Sequence, residues 1–289
     1  MSPKWIILLL ALLPFAAARD ARAQSAVQHS YVGYDRNGYP GDANLAALRK
    51  SFRFSSYWLN NPPGAQSNSW SGKRALLKQN GFGFLVLFNG RLYGELKGKD
   101  AAALGAADGK AAVAAALHEG FDLNILIFLD QEEGGRLLPE QANYLFAWAD
   151  AVRASGSRAG VYCSGIDVPD GTGTISTARD ILEKKKARTA ASATQKAAPL
   201  KLWIANDQCP PSPGCTLQHP LMSKAVSAEL GSSTLIWQYA QSPRRSQFTG
   251  GCPKNYAADN RCYAPGIAQN ADTFVDLNVS SSPDPSAAQ

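Results

Sequence analysis

Histidine and methionine are scarce in this 289-residue chain, with three and two in all. The histidines, His29, His118 and His219, stand far apart with no metal-ligand spacing around them, so a zinc centre or a Cys–His or Ser–His hydrolase lacks its raw material. Neither G-x-G-x-x-G nor G-x-x-x-x-G-K-[ST] occurs, and no G-x-S-x-G elbow is present; nucleotide binding and serine esterase chemistry lose their usual loops, and no cofactor or metal is expected. Charge is thin at 18% of residues, and no Arg/Lys-rich motif with interleaved aromatics points to a nucleic-acid groove. The one dense cluster, Lys184-Lys185-Lys186 with Arg188, reads as a solvated helix face.

Long apolar runs are missing everywhere except at the start. Lys4 precedes the run from Trp5 to Ala17, and Ala21-Arg22-Ala23 supplies small residues for cleavage before Gln24, the pattern of a secretory signal over residues 1–23. The run is shorter than the roughly 20 residues a spanning helix needs, so no membrane span is expected after cleavage, and the protein is expected in the periplasm or outside the cell as a monomer. Loss of Lys4, Arg19, Arg22 and Asp20 lowers the formal charge from +6 to +4. Five cysteines then face an oxidising compartment. Cys209 and Cys215 flank a proline-rich loop and Cys252 and Cys262 bracket a polar one, which suits two local disulfides; Cys163, within Val161-Tyr162-Cys163, reads as a small buried hydrophobe.

The positive signal is an alternation of short, almost wholly apolar runs with helical stretches, because strands buried on both faces lose the period-two pattern. Eight runs qualify: Tyr31 to Asp35, Phe52 to Leu59, Gly83 to Asn89, Ile125 to Gln131, Ala159 to Ser164, Lys201 to Asn206, Thr234 to Tyr239 and Thr273 to Asn278. Helices are expected at Leu45 to Lys50, Ala101 to His118, from Pro139 to the stop at Gly156, and at Thr177 to Lys186. After Tyr239 a loop stapled by the second cysteine pair replaces a crossover helix. Eight strands alternating with helices predict an α/β fold, a (β/α)8 barrel over residues 24–280 followed by a disordered Ser/Pro tail at 281–289.

In such a barrel the chemistry sits where strands end at the mouth, and four carboxylates qualify: Asp35, Asp130, Glu132 and Asp276. Asp130 and Glu132 are two residues apart, so strand alternation points both into the mouth, whereas Glu133 faces away and is structural. Neighbouring carboxylates repel, which raises one pKa and leaves the other group ionised, the division that glycoside hydrolysis uses. Glu132 reaches further and is assigned general acid; Asp130 orients and stabilises charge. Sugar rings stack on aromatic faces, and Tyr57, Trp58, Trp203, Trp237 and Tyr239 fall near strand ends, although half or more of them serve as barrel filling. Asn89, Asn206, Gln238 and Asn278 are candidate partners for hydroxyl or N-acetyl groups.

Tyr31-Val32-Gly33-Tyr34-Asp35, Ile127-Phe128-Leu129-Asp130-Gln131-Glu132, Gly160-Val161-Tyr162-Cys163-Ser164, Leu202-Trp203-Ile204-Ala205, Ile236-Trp237-Gln238-Tyr239 and Val275-Asp276-Leu277-Asn278 follow the order of the strand motifs of family 25 glycoside hydrolases, the muramidases. The chain resembles more closely a glycoside-hydrolase-like domain family of unknown function, family 1906, over about residues 30 to 280. This resemblance implies a TIM-type barrel with irregular C-terminal strands and cleavage of the β-1,4 bond after N-acetylmuramic acid. It also implies Glu132 as acid with Asp35, Asp130 and Asp276 around it, and the substrate's N-acetyl group as nucleophile. Two muramidase features are replaced: Tyr57-Trp58-Leu59-Asn60-Asn61 stands after the second strand and Leu87-Phe88-Asn89 ends the third. The expected function is hydrolysis of peptidoglycan or a related N-acetylated glycan. The alternative is a non-catalytic barrel that binds wall glycan or a protein partner.

Overall fold

The computed structural model describes residues 30–191, 199–207, 228–231, 233–241, 264–267 and 273–287. The signal expected over residues 1–23 and the four cysteines expected to form disulfides, Cys209, Cys215, Cys252 and Cys262, lie outside these residues.

The apolar runs become strands β1 (Tyr31–Asp35), β2 (Phe54–Trp58), β3 (Gly83–Asn89), β4 (Leu126–Gln131) and β5 (Arg158–Ser164). A small hairpin of β6 (Val168–Asp170) and β7 (Gly173–Ile175) follows, then β8 (Lys201–Ala205), β9 (Thr234–Ala240) and β10 (Asp276–Ser280). Eight of them close a barrel in the order β1-β10-β9-β8-β5-β4-β3-β2. Strands such as β2, β4 and β9 are buried at every position, as expected for a sheet covered on both faces. The lumen is filled by large rings set against missing side chains. A Cβ at Gly33 would lie 2.1 Å from the Phe54 ring, and one at Gly160 would lie 2.6 Å from that of Phe128.

The C-terminal irregularity implied by the resemblance takes a definite form. Strand β10 runs antiparallel to both β1 and β9, with a register shift against β9 between Leu277 and Asn278. Its first residue, Asp276, therefore sits at the same end of the barrel as the last residues of the parallel strands and pairs with Asp35. The β6–β7 hairpin is not among the eight expected strands; Arg136 anchors it through Asp170 at 2.6 Å and also binds the buried Asp180 at 2.8 Å.

The outer layer comprises α1 (Leu45–Ser51), α2 (Arg74–Gln79), the single turn α3 (Tyr93–Leu96), α4 (Ala101–His118), α5 (Pro139–Ala154) and α6 (Thr177–Ala191). Helix α4 is capped by Asp100, which accepts from the Ala103 amide, and α5 opens on Pro139 at its first turn. The two helices meet at backbone distance: a Cβ on Gly105 would stand 2.2 Å from the Tyr144 carbonyl oxygen, and one on Gly109 2.5 Å from that of Trp148. Helix α6 extends past its expected end at Lys186. Lys184 pairs with Asp180 and Arg188 with Asp150, so the basic cluster is partly neutralised. Cys163 is a buried free thiol, and burial pushes its pKa up to about 12, which agrees with its reading as a small hydrophobe.

The C-terminal segment corrects an expectation. Residues 281–287 are not a solvated tail but pack across the bottom of the barrel, where β3 and β4 splay before they begin to pair at Val86 and Ile127. The Phe84 amide donates to Asp284 Oδ1 and the Val86 amide to Ser286 Oγ, each at 2.9 Å; the Leu126 amide donates to the Ser286 carbonyl at 2.8 Å. Serine and aspartate resemble disorder-promoting composition, yet here they satisfy strand amides that have no neighbouring strand. Truncation after Ser280 would leave three buried donors unpaired and is expected to cost about 3 kcal/mol, at roughly 1 kcal/mol for each hydrogen bond. Chemical denaturation of the two forms measures this, and equal midpoints would mean that the segment does not hold the barrel.

Candidate active site

Strand alternation explains which predicted residues meet. Asp35, Trp58, Leu87, Asp130, Tyr162 and Trp203 project from successive strands into one cavity of about 500 Å³ at the barrel mouth, with Asp276 and Glu132 on its margin. Neighbouring strands place Asp130 beside Tyr162 and Tyr162 beside Trp203. Glu132 lies just beyond β4, is exposed, and also borders a second hollow of about 240 Å³ lined by Asn89, Arg91 and Glu95. It thus stands on the ridge between two halves of a cleft. Glu133 points the opposite way, accepting from the Tyr93 amide at 2.7 Å and Gln141 Nε2 at 2.6 Å, the structural role expected of it.

Beneath the cavity runs a buried hydrogen-bond chain. Tyr162 Oη donates to Gln238 Oε1 at 2.9 Å, and Gln238 Nε2 donates to Asp35 Oδ1 at 2.9 Å. Asn278 Nδ2 donates to the same Asp35 oxygen, and Trp203 Nε1 fixes Asn278 by donating to its Oδ1 at 2.8 Å. Gln241 donates to both Tyr162 Oη and Gln238 Oε1. The aromatic floor is tight, with the Tyr162 and Trp203 ring centroids 4.5 Å apart.

The two buried aspartates differ in what surrounds them. Burial raises the Asp35 pKa to about 6, while the Asn278 and Gln238 amides oppose the rise and Glu132 adds to it. Asp130 is 5% exposed, and among the described residues neither of its oxygens has a hydrogen-bond partner. Burial first, then repulsion from Glu132 and Asp35, holds its pKa well above the ordinary carboxylate range. The split in protonation expected between Asp130 and Glu132 therefore takes another form: burial and its acidic neighbours favour the neutral form of Asp130, which was expected to be the ionised partner. Tyr162 lies among all four acids; burial and the charges of Asp35, Asp130, Asp276 and Glu132 all raise its pKa. Arg36 also lines the cavity, its guanidinium 5.9 Å from the Phe274 ring centre and its backbone carbonyl held by Trp58 Nε1 at 3.0 Å. The mouth thus contains a cation that the spacing of the acids did not reveal.

Several predicted sugar contacts fall elsewhere. Tyr57 precedes Trp58 and must face outward; it donates to Glu119 and packs on Trp70, Phe84 and Phe121. Trp237 and Tyr239 flank the inward Gln238 and face away from the lumen, with Trp237 Nε1 bonded to the Asn206 carbonyl at 2.9 Å. Asn206 contributes backbone to this contact, and its amide bonds the Gln238 carbonyl. Asn89 holds the Asn61 carbonyl through its side chain and lines the smaller hollow. Residues the sequence reading missed are Arg36, Tyr162, Gln241 and Phe274. Tyr162 was legible, since it shares the inward phase of β5 with Gly160 opposite Phe128 and Asp130. Among the described residues no group of three or more His, Cys, Asp or Glu side chains is arranged to hold a metal.

Comparison with known proteins identifies the architecture. The family described as Rv2525c-like, glycoside hydrolase-like domain matches residues 56–207. An uncharacterised protein of B. stearothermophilus superposes over 86% of this chain and 95% of its own with 19% identity and a TM-score of 0.53, a likeness of fold. The Tat-secreted protein Rv2525c of Mycobacterium tuberculosis, solved with L-tartrate, aligns over 86% of this chain and 94% of its own at 13% identity and a TM-score of 0.47. A family 25 glycosyl hydrolase of Bacillus anthracis aligns over 86% and 88% at 11% identity and 0.44. No curated protein matches the chain.

Two measurements test the electrostatics. In a carboxyl-carbon NMR titration Asp35, near 6, and Asp130 are both expected to ionise above the ordinary carboxylate range; an ordinary carboxylate titration of either would contradict the site's charge distribution. The folded chain holds the Asp35 proton to higher pH than the unfolded chain, so this group's contribution to stability falls as pH rises from about 4 to about 6 and is level above. Asp35→Asn keeps an acceptor for Gln238 and Asn278 and removes the buried charge. It should raise stability at pH 7 by on the order of 1–3 kcal/mol, with the gain vanishing near pH 4, as read from denaturation midpoints at the two pH values.

Proposed function

The chain belongs to the Rv2525c-like, glycoside hydrolase-like domain family, and on that premise we propose that it is an exported hydrolase of peptidoglycan or a related N-acetylated glycan, with Glu132 as general acid. The observation that carries this reading is the convergence of four carboxylates on one cavity, with Glu132 alone exposed on the ridge between two hollows. A glycan laid across that ridge brings its glycosidic oxygen to Glu132, one side of the chain resting over Trp58 and Trp203 and the other against the Asn89 hollow.

Glu132 gives its proton to the leaving oxygen as the C1–O bond breaks. The substrate's N-acetyl oxygen closes on C1, and a water then opens that ring and returns a proton to Glu132. Asp35, ionised above about pH 6 and held by two amide donors, faces the positive charge that develops at the sugar. Asp130, kept neutral, supports the site by leaving the Glu132 carboxylate formed after proton transfer without a second full charge beside it. Cleavage of the 1–23 signal would deliver the enzyme to the compartment where its substrate lies.

Release of reducing ends from purified peptidoglycan is the test. The mature protein should release them, and Glu132→Gln should lower the rate at least a hundredfold while retaining binding to insoluble wall. Equal rates in the two proteins, or no release by a demonstrably folded parent, would overturn the assignment.

A further inference from the structure

The opposite end of the barrel has the reverse charge. There a concavity of about 510 Å³ is lined by the C-terminal segment, at Pro283, Asp284 and Ala287, and by Arg49, Arg53, Arg74 and Lys78. Elsewhere in the described chain, cations such as Lys73, Arg91, Arg136 and Arg188 sit in carboxylate ion pairs. Among the described residues, none of the four basic groups here forms one. Arg49 and Arg53 are close enough for the Arg53 charge to lower the Arg49 pKa, in addition to the effect of burial.

Two of these cations are pre-positioned. Arg49 donates through Nε to the Gly81 carbonyl at 2.9 Å and lies 6.0 Å from the centre of the Phe82 ring. The Arg74 guanidinium stands 4.7 Å from the centre of the Phe121 ring. Arg53 and Lys78 are exposed at the rim, and the charges of Lys78 and Arg74 act on the nearby Asp284 carboxyl without forming an ion pair with it. The lining acids are Asp122 and Asp284, and Asp284 already accepts the Phe84 amide at 2.9 Å. The hollow therefore carries an excess of two positive charges in a partly desolvated setting. Arg49 also donates through Nη1 to the Phe52 carbonyl at 3.4 Å, so its Nη2 and the guanidinium groups of Arg53 and Arg74 offer the N–H donors that match tetrahedral oxyanions.

We propose that this basal hollow is a binding site for a soluble phosphate ester, on the end of the barrel remote from the carboxylate mouth. The site is independent of the glycosidase reading, since it shares no residue with the mouth. Its occupant is a dianionic phosphate seated between Arg49 and Arg74 and clasped by Arg53 and Lys78. The organic part of the ester lies against the exposed Leu123, which also lines the hollow. Because Asp284 and Ala287 also line it, occupancy bears on the C-terminal segment as well.

The test titrates the mature protein with inorganic phosphate and with glycerol 3-phosphate at fixed ionic strength, following backbone amide resonances. Saturable shifts are expected around residues 49–53, 74–84 and 121–125 and in the 283–287 segment. The double variant Arg53→Gln/Lys78→Gln, whose side chains are exposed, should weaken binding at least tenfold, while Glu132→Gln leaves it unchanged. Absence of saturation, or equal affinity in the double variant, would overturn the proposal. So would binding to phosphatidylglycerol vesicles that glycerol 3-phosphate does not displace, because the hollow would then be part of a membrane-facing surface.

Discussion

One oxygen of Asp35 receives amide donors from both Gln238 and Asn278, and these three residues belong to β1, β9 and β10, the strands that close the barrel. Closure and site are therefore the same event. A carboxylate in a dry lumen is costly unless donors are aimed at it, and the donors reach it only when the last two strands are in place. Reversal of β10 makes this possible. It puts Asp276 opposite Asp35 at the mouth and sends Asn278 inward one step below, where Trp203 fixes its amide. A parallel eighth strand would carry its polar end at the mouth only after a crossover connection; the antiparallel one delivers it as the chain arrives.

The same reversal sends the chain back to the bottom of the barrel, where its remaining residues do a second job. Strands β3 and β4 begin out of step, leaving amides at Phe84, Val86 and Leu126 without strand partners, and the 282–287 segment supplies them. Arg158, at the start of β5, holds the Ser286 and Ala287 carbonyls. The two ends of the barrel thus acquire opposite character from one chain. Inward-facing acids meet at the top, while cations from α1, the start of β2 and α2 surround the plug at the bottom.

Much of this was legible because buried parallel strands announce themselves as apolar runs: β1 and β3 have the bounds read from sequence, and α4 matches its Ala-rich stretch to the residue. The four acids were found by the rule that polar residues ending such runs lie at the mouth. Errors arose where that rule was applied without phase. Tyr57 beside Trp58, and Trp237 and Tyr239 around Gln238, cannot all face one side, and alternation sends those three aromatics outward. Asp284 and Ser286 were misread for a different reason: composition records how well a segment is solvated alone and says nothing of unpaired amides 200 residues away. The basal cations escaped notice because they are spread over two helices and a strand start, and no local window contains them.

The assignment of roles among the acids depends on depth and donors more than on spacing. Asp130 and Glu132 share a phase on β4, but Asp130 lies in the lumen without a donor, whereas Glu132 clears the strand end and meets solvent. Asp35 is as deeply buried as Asp130 yet has two donors, so it is the deep group that can carry charge near neutral pH. On the proposed reading, were its three neighbours all ionised, Glu132 would give up its proton into a field of three negative charges, and its conjugate base would be a poor product of the first step. The upward shift of the Asp130 pKa favours loss of the charge nearest in sequence and phase, and Arg36 adds a positive charge to the cavity wall. On the proposed reading the mouth would pass a proton from Glu132 to a leaving oxygen while Asp35 faces the cationic sugar, and burial together with repulsion from Glu132 and Asp35 favours the neutral form of Asp130 between them.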